Sequence, residues 1–98
     1  MRLIYSEPAL TDLGGIMDYI GRDNPSAAVR FGEGLLNTAD LLETHPEMGV
    51  RCEELAEGLR LFSYRGYRMY YRIDAASRVV LLERELHPLL DVDRQAFN

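Results

Sequence analysis

The sequence predicts an α+β fold: an N-terminal strand, an antiparallel helical hairpin, then a three-stranded antiparallel meander. Three observations lead there. Apolar residues recur at helical spacing in the first half, at Leu10, Leu13, Ile16, Met17 and Ile20, then at Ala28, Phe31, Leu35, Ala39 and Leu42. From residue 59 onward the period changes to two, with β-branched and aromatic residues in short runs. Short turn segments separate those runs, Arg65-Gly66 first and residues 74–77 second.

Each element follows from local chemistry. Arg2–Tyr5 is a short first strand. Ser6 can cap the helix that follows, because its hydroxyl can accept from a backbone N–H of the first turn. That helix ends near Gly21. Gly14 and Gly15 weaken it by roughly 1 kcal/mol each relative to Ala, unless a neighbour needs their close approach. Asn24-Pro25 starts the second helix with a cap and a proline at the first helical position. It stops before His45-Pro46, and residues 45–49 form a loop. The short link between the helices makes them antiparallel neighbours. Strands follow over 59–64, 67–73 and 78–85. The tail, 87–98, opens with Pro88 and has room for one helical turn. Leu13, Ile16, Phe31, Leu35, Tyr71 and Ile73 are the expected core.

Composition sets limits on function. The 98 residues suit one domain, 1–98, with a modest core. No apolar run approaches the length of a membrane span, about 18 residues. The start, Met1 to Glu7, lacks the apolar stretch of a secretory signal, so a cytoplasmic protein is expected. The single cysteine, Cys52, cannot form an internal disulfide, and its neighbours Glu53 and Glu54 disfavour a thiolate. The net charge of −5 is unevenly spread. Residues 1–49 carry three arginines against eight acids, while residues 58–84 carry six arginines against Asp74 and Glu83. All eleven basic residues are arginine. The acidic total argues against general nucleic-acid affinity, so any anion site is local.

That local site is expected in residues 58–73. Alternation puts Tyr67, Met69, Tyr71 and Ile73 on one strand face, able to pack on a core. Arg68, Tyr70 and Arg72 fall on the other. Such a face suits a polyanion, an acidic protein surface or a negatively charged transition state. It equally suits a solvated sheet face whose arginine stems cover the tyrosines. The usual catalytic motifs are absent: there is no glycine-rich phosphate loop, no HExxH and no nucleophile elbow. His45 reads as a helix-end residue, and with His87 it makes no metal pair, since nothing nearby completes a ligand set. No cofactor or metal is expected. His87 follows the last strand, where it can stand near the Arg and Tyr face.

The order and spacing of these pieces resemble the RelE/ParE superfamily of toxins from bacterial type II toxin–antitoxin systems. The resemblance runs through Ala9-x-x-Asp12-Leu13-x-x-Ile16-x-Asp18-Tyr19-Ile20 and Asn24-Pro25-x-Ala27-Ala28-x-x-Phe31. It continues through Leu42-x-x-x-Pro46-x-Met48-Gly49, Gly58-Leu59-Arg60 and Tyr70-Tyr71-Arg72-Ile73 to Leu86-His87. It implies the strand, hairpin and meander already read from the residues. It also implies a cognate antitoxin as partner. The ParE-like branch, which the helical segments resemble more closely, implies binding to DNA gyrase without catalysis, and DNA contact only through the antitoxin. Arg60, Tyr64, Arg68, Tyr70, Arg84 and His87, on or beside the locally basic strands, are then the candidate target contacts. The RelE-like branch implies a ribosome-dependent mRNA endonuclease, with Glu53 or Glu54 as base, Arg68 at the phosphate and His87 as acid. An inactive toxin-like binding module is a third reading. Many ParE-like chains carry an arginine shortly after the histidine; here the run is His87-Pro88-Leu89-Leu90-Asp91, and no arginine comes before Arg94. For the antitoxin, the candidates are Ile16, Met17, Tyr19, Ile20 and Phe31, because a small hairpin cannot bury all five against one thin sheet.

Overall fold

A computed structural model describes residues 1–90 and 92–97. Asp91 and Asn98, both within the expected tail, lie outside the described residues. The elements run in the expected order: β1 (Arg2–Tyr5), α1 (Glu7–Asp23), α2 (Pro25–Thr44), β2 (Val50–Arg51), β3 (Arg60–Tyr64), β4 (Tyr67–Asp74) and β5 (Val79–Leu86), then a 3-10 turn over Arg94–Phe97.

Both helix starts are capped as their residues dictate. Ser6 Oγ accepts from Ala9 N at 3.1 Å, and Asn24 Oδ1 accepts from Ala27 N at 3.1 Å. α1 runs two residues beyond Gly21, because Asn24 closes it through its own N–H to Ile20 O before capping α2. Gly14 and Gly15 face open space, since a Cβ on either would meet nothing within 4 Å. Close approach of a neighbour therefore does not explain them.

The meander is part of a larger sheet of five strands, ordered β1-β5-β4-β3-β2. β3, β4 and β5 pair antiparallel, as expected. β2, not anticipated from two residues in a loop, adds to β3. β1 joins β5 in parallel, with Arg2 opposite Val79 and Tyr5 opposite Leu82. Arg65 and Gly66 both take positive φ, 50° and 85°, which matches the hairpin's twist to that of its strands.

Both helices lie on one face of the sheet. Ala9, Phe31, Leu35 and Leu42 meet Met69, Tyr71, Val80 and Leu82 there. Phe31, Leu35 and Tyr71 are buried as expected, whereas Leu13, Ile16 and Ile73 pack against this core only half-buried. Tyr71 also fixes the loop after α2. Its hydroxyl donates to Pro46 O at 2.6 Å and accepts from Gly49 N at 2.9 Å. Tyr71→Phe leaves both loop groups without that partner, so it should cost about 1–3 kcal/mol in urea melts. An unchanged midpoint would mean that water replaces the phenol at no cost.

The opposite face differs from expectation. Alternation correctly separates Tyr70 from Tyr71, but Tyr70 does not look into solvent. It is 2% exposed, in a second core with Cys52, Leu59, Leu86 and Phe97. The loop after β2 and the 3-10 turn cover this face. Arginines hold the cover by backbone carbonyls: Arg72 donates to Glu57 O and Phe97 O, and Arg94 to Glu54 O. Among the described residues, no helix is long and apolar enough to cross a membrane.

Candidate functional site

The expected target residues do not share one face. Cross-strand partners lie on the same side of a sheet, so Arg60 opposite Tyr71 and Tyr64 opposite Tyr67 belong to the helix side. Arg60 is committed to the loop, donating to Glu47 O and Gly49 O. Tyr64 lies on Gly34 of α2, so close that a Cβ there would collide with its hydroxyl. Arg68 and Tyr70 share the other side, with Tyr70 beneath the cover and Arg68 half-buried at its border. Arg84, opposite Tyr70, ion-pairs with Asp12 of α1, Nε to Oδ2 at 2.7 Å and Nη2 to Oδ1 at 2.9 Å, and also donates from Nη1 to Ala96 O at 3.5 Å. The hydrogen bond to Asp12, ahead of its charge, raises the Arg84 pKa and holds the guanidinium charged.

Of the alternative catalytic set, Glu53 and His87 lie on opposite faces of the sheet, while Arg68 pairs with Leu86, next to His87. Glu53 lines a shallow depression with Leu55, Ala56, Glu57, Arg72, Arg94 and Phe97 on the covered face. His87 stands on the helix side, its ring edge-on to Tyr67 with centroids 5.4 Å apart. Neither depression includes Arg68. Cys52 is buried, and burial first, then Glu54, pushes its thiol pKa up, against nucleophilic use.

The expected antitoxin residues divide between two clefts along the hairpin. Ile16 and Tyr19 line the first, a cleft of about 340 Å³ between α1 and the end of β5. Ile20 and Phe31 line the second, with Ala27, Arg30 and Arg65. Met17 lies against Gly32, where a Cβ would come within 2.9 Å of its sulfur. Phe31, expected in the core, is 7% exposed, with its ring tilted against Tyr64 and edge-on to Tyr67. Exposed apolar side chains on the hairpin are instead Leu10, Tyr19, Val29, Leu36 and Leu41. Helical periodicity marks the buried stripe; Tyr19, Val29, Leu36 and Leu41 lie off it, while Leu10, expected on it, is exposed.

Glu85 escaped sequence reading. The register of β4 on β5 slips between Tyr70 and Tyr71, so Glu83 is an extra residue on β5. Beyond this bulge the alternation reverses phase. Glu85 falls opposite Met69, under the helices, where unbroken alternation would have placed Arg84. Glu83 stays on the covered face and ion-pairs with Arg72. Glu85 is 2% exposed and neither carboxyl oxygen has a hydrogen-bond partner. Burial, reinforced by Asp12, pushes its pKa up to about 8. The signal in the sequence was the charged run Glu83-Arg84-Glu85 inside an otherwise apolar strand.

The architecture occurs in toxin–antitoxin complexes. The structure matches a chain of the chromosomal ParDE system from P. aeruginosa with a TM-score of 0.76 and 17% identity, covering 89% of this chain and 95% of that one. It matches a chain of the RelBE2 toxin–antitoxin complex from Mycobacterium tuberculosis with a TM-score of 0.60 and 24% identity, covering 88% and 95%. At those identities the likeness concerns the fold alone. In sequence, Toxin RelE2 of Caulobacter vibrioides is 42% identical over 48 residues, 49% of this chain and 54% of that protein. The chain thus spans about half the length of that curated relative. Residues 3–84 match the family described as ParE toxin of type II toxin–antitoxin system, parDE, and the chain belongs to that family.

Proposed function

We propose that the chain, as one domain over residues 1–98, is the cytoplasmic toxin of a type II pair. A cognate antitoxin holds it along the helical hairpin, and free of that partner it inhibits DNA gyrase by binding, without cutting a substrate. The observation that carries this reading is the family match over residues 3–84. The exposed Leu10, Tyr19, Val29, Leu36 and Leu41 support an antitoxin on the hairpin, because apolar side chains gathered on helices suit a partner segment. The placement of His87 and Glu53 in depressions on opposite faces of the sheet supports binding over catalysis, since acid–base cleavage needs its groups around one scissile bond.

A second reading, ribosome-dependent mRNA cleavage, has the RelE2 relative in its favour. One comparison separates the two. Purified protein enters a gyrase supercoiling assay and, separately, a ribosome-dependent mRNA cleavage assay. The expected outcome is loss of supercoiling with intact mRNA, and about tenfold weaker inhibition in Arg68→Ala, as for an interface arginine. Unimpaired gyrase together with mRNA cleavage abolished by His87→Ala would establish the second reading instead. Co-expression with the small protein encoded beside this gene should yield a tight complex. A non-toxic monomer that ignores that neighbour would count against the whole proposal.

A further inference from the structure

We propose that the cleft between α1 and the end of β5 receives a cationic side chain, an arginine or lysine on the antitoxin segment docked along α1, with Glu85 as its counter-ion. The antitoxin as occupant rests on the toxin–antitoxin reading above; the cation preference rests on the cleft itself.

The cleft is lined by Thr11, Asp12, Gly15, Tyr19, Tyr67 and His87 around Glu85, with Ile16 and Leu86 completing the wall. Two features select a cation. Glu85 has two acceptor oxygens and no donor to satisfy them. A buried carboxyl without partners is costly, and an incoming guanidinium or ammonium would supply both charge and hydrogen bonds. Asp12 is already held by Arg84 and by the Glu85 backbone N–H, which leaves Glu85 as the carboxyl without a partner. The aromatic rings of Tyr67 and Tyr19 supply faces that attract cations, and Tyr19 is 65% exposed at the rim. Gly15 leaves the α1 side open, since nothing lies within 4 Å of the Cβ position there. An anion or an apolar plug would leave Glu85 as unsatisfied as it is in the free chain.

The site carries its own pH dependence. A cation binds the ionised form of Glu85, whereas burial and Asp12 favour the protonated form below about pH 8. Binding must therefore release a proton, and affinity rises about tenfold per pH unit well below that value, more slowly as it is approached, then levels. The groups facing Glu85 are Asp12, Thr11 and Tyr19 from α1, Tyr67 from β4 and His87 after β5. Tyr5 of β1, whose buried hydroxyl also lacks a partner, feels the Glu85 charge together with Asp40 and Glu43 of α2. His87 is a second titratable ring on the cleft, so the pH series is repeated in His87→Gln.

The probes are Nα-acetyl-arginine methylamide and its neutral isostere, the citrulline analogue, added to the full chain and followed by carbon NMR of the Glu85 carboxyl. The arginine compound should bind, lower the titration midpoint of Glu85 by a unit or more, and bind about fivefold better at pH 8 than at pH 7. His87→Gln should keep that slope, and Glu85→Gln should abolish both binding and slope. Equal binding of the citrulline compound, or arginine binding undiminished in Glu85→Gln, would overturn the cation site. The complex with the co-expressed antitoxin provides the second arm, where Glu85→Gln should weaken association at least tenfold at pH 8. An unchanged complex alongside a functional arginine site would overturn the antitoxin as occupant while leaving the toxin reading intact. If wild-type chain forms no antitoxin complex but binds the arginine compound, the toxin–antitoxin reading fails and the cation receptor stands.

Discussion

Between pH 5 and pH 9, Glu85→Gln should become progressively more stable than the wild type, reaching about 3–5 kcal/mol at the alkaline end. The sign follows from the direction of the shift. Burial, then Asp12, raises the Glu85 pKa from 4.5 to about 8 in the folded chain. Inside that window the native state keeps a proton that the unfolded state has released, so wild-type stability falls as pH rises and levels above pH 8. Glutamine does not titrate, and at pH 5 the two proteins should melt alike. Urea melts of both at each pH isolate this group, because other titrations are common to the pair. Parallel curves would mean that water or a rotamer change relieves Glu85 in solution. If the difference is found, a wild type that retains the acid gives up stability at the cleft assigned to a cationic partner, which is common at binding sites.

Phe31→Ala should cost about 3–5 kcal/mol, because the ring is buried and its removal leaves a cavity that its neighbours cannot fill. Tyr64 and Tyr67 are those neighbours, with ring centroids 5.5 Å and 5.0 Å from Phe31. Each lies on the strand side of the core, and each would lose an aromatic partner. A loss below about 1 kcal/mol in urea melts would place Phe31 at a surface instead. The consequence for binding studies is direct: a Phe31 variant reports folding, whereas Tyr19 or Leu36 variants can report docking on the hairpin.

The parts of the fold legible in the sequence were those that local chemistry dictates. Ser6, Asn24 and Pro25 mark helix starts because caps satisfy orphan N–H groups, and the structure uses both caps. Arg65-Gly66 marks the hairpin because its conformation suits glycine. What was not legible depended on distant partners. The parallel pairing of β1 with β5 joins segments with no shared local signal. Tyr70 stands on the side that alternation assigned, yet burial depends on the covering loop and turn, which carry no period. The bulge at Glu83 reverses the phase of the strand and brings Glu85 inward; the charged run Glu83-Arg84-Glu85 marks the spot, but which of its residues turns inward depends on pairing with β4. The six candidate target residues read as a unit because they cluster along the chain; pairing sends Arg60 and Tyr64 to one side and Arg68 and Tyr70 to the other.

The placement of β1 beside β5 governs the order in which this chain can acquire its shape. Ser6 bonds to Glu83, 77 positions further along, and Ser6 N reaches Leu82 O at the same junction. During synthesis the hairpin of α1 and α2 can form early, since its contacts are local. β1 leaves the ribosome first yet must wait for β5, and until then its edge and the underside of the helices stay uncovered. Closing so long a loop carries an entropic cost that is recovered only once the sheet is complete. The sheet is therefore complete only once the last strand is in place, and a chain ending before Val79 would present helices without the strand that helps bury them.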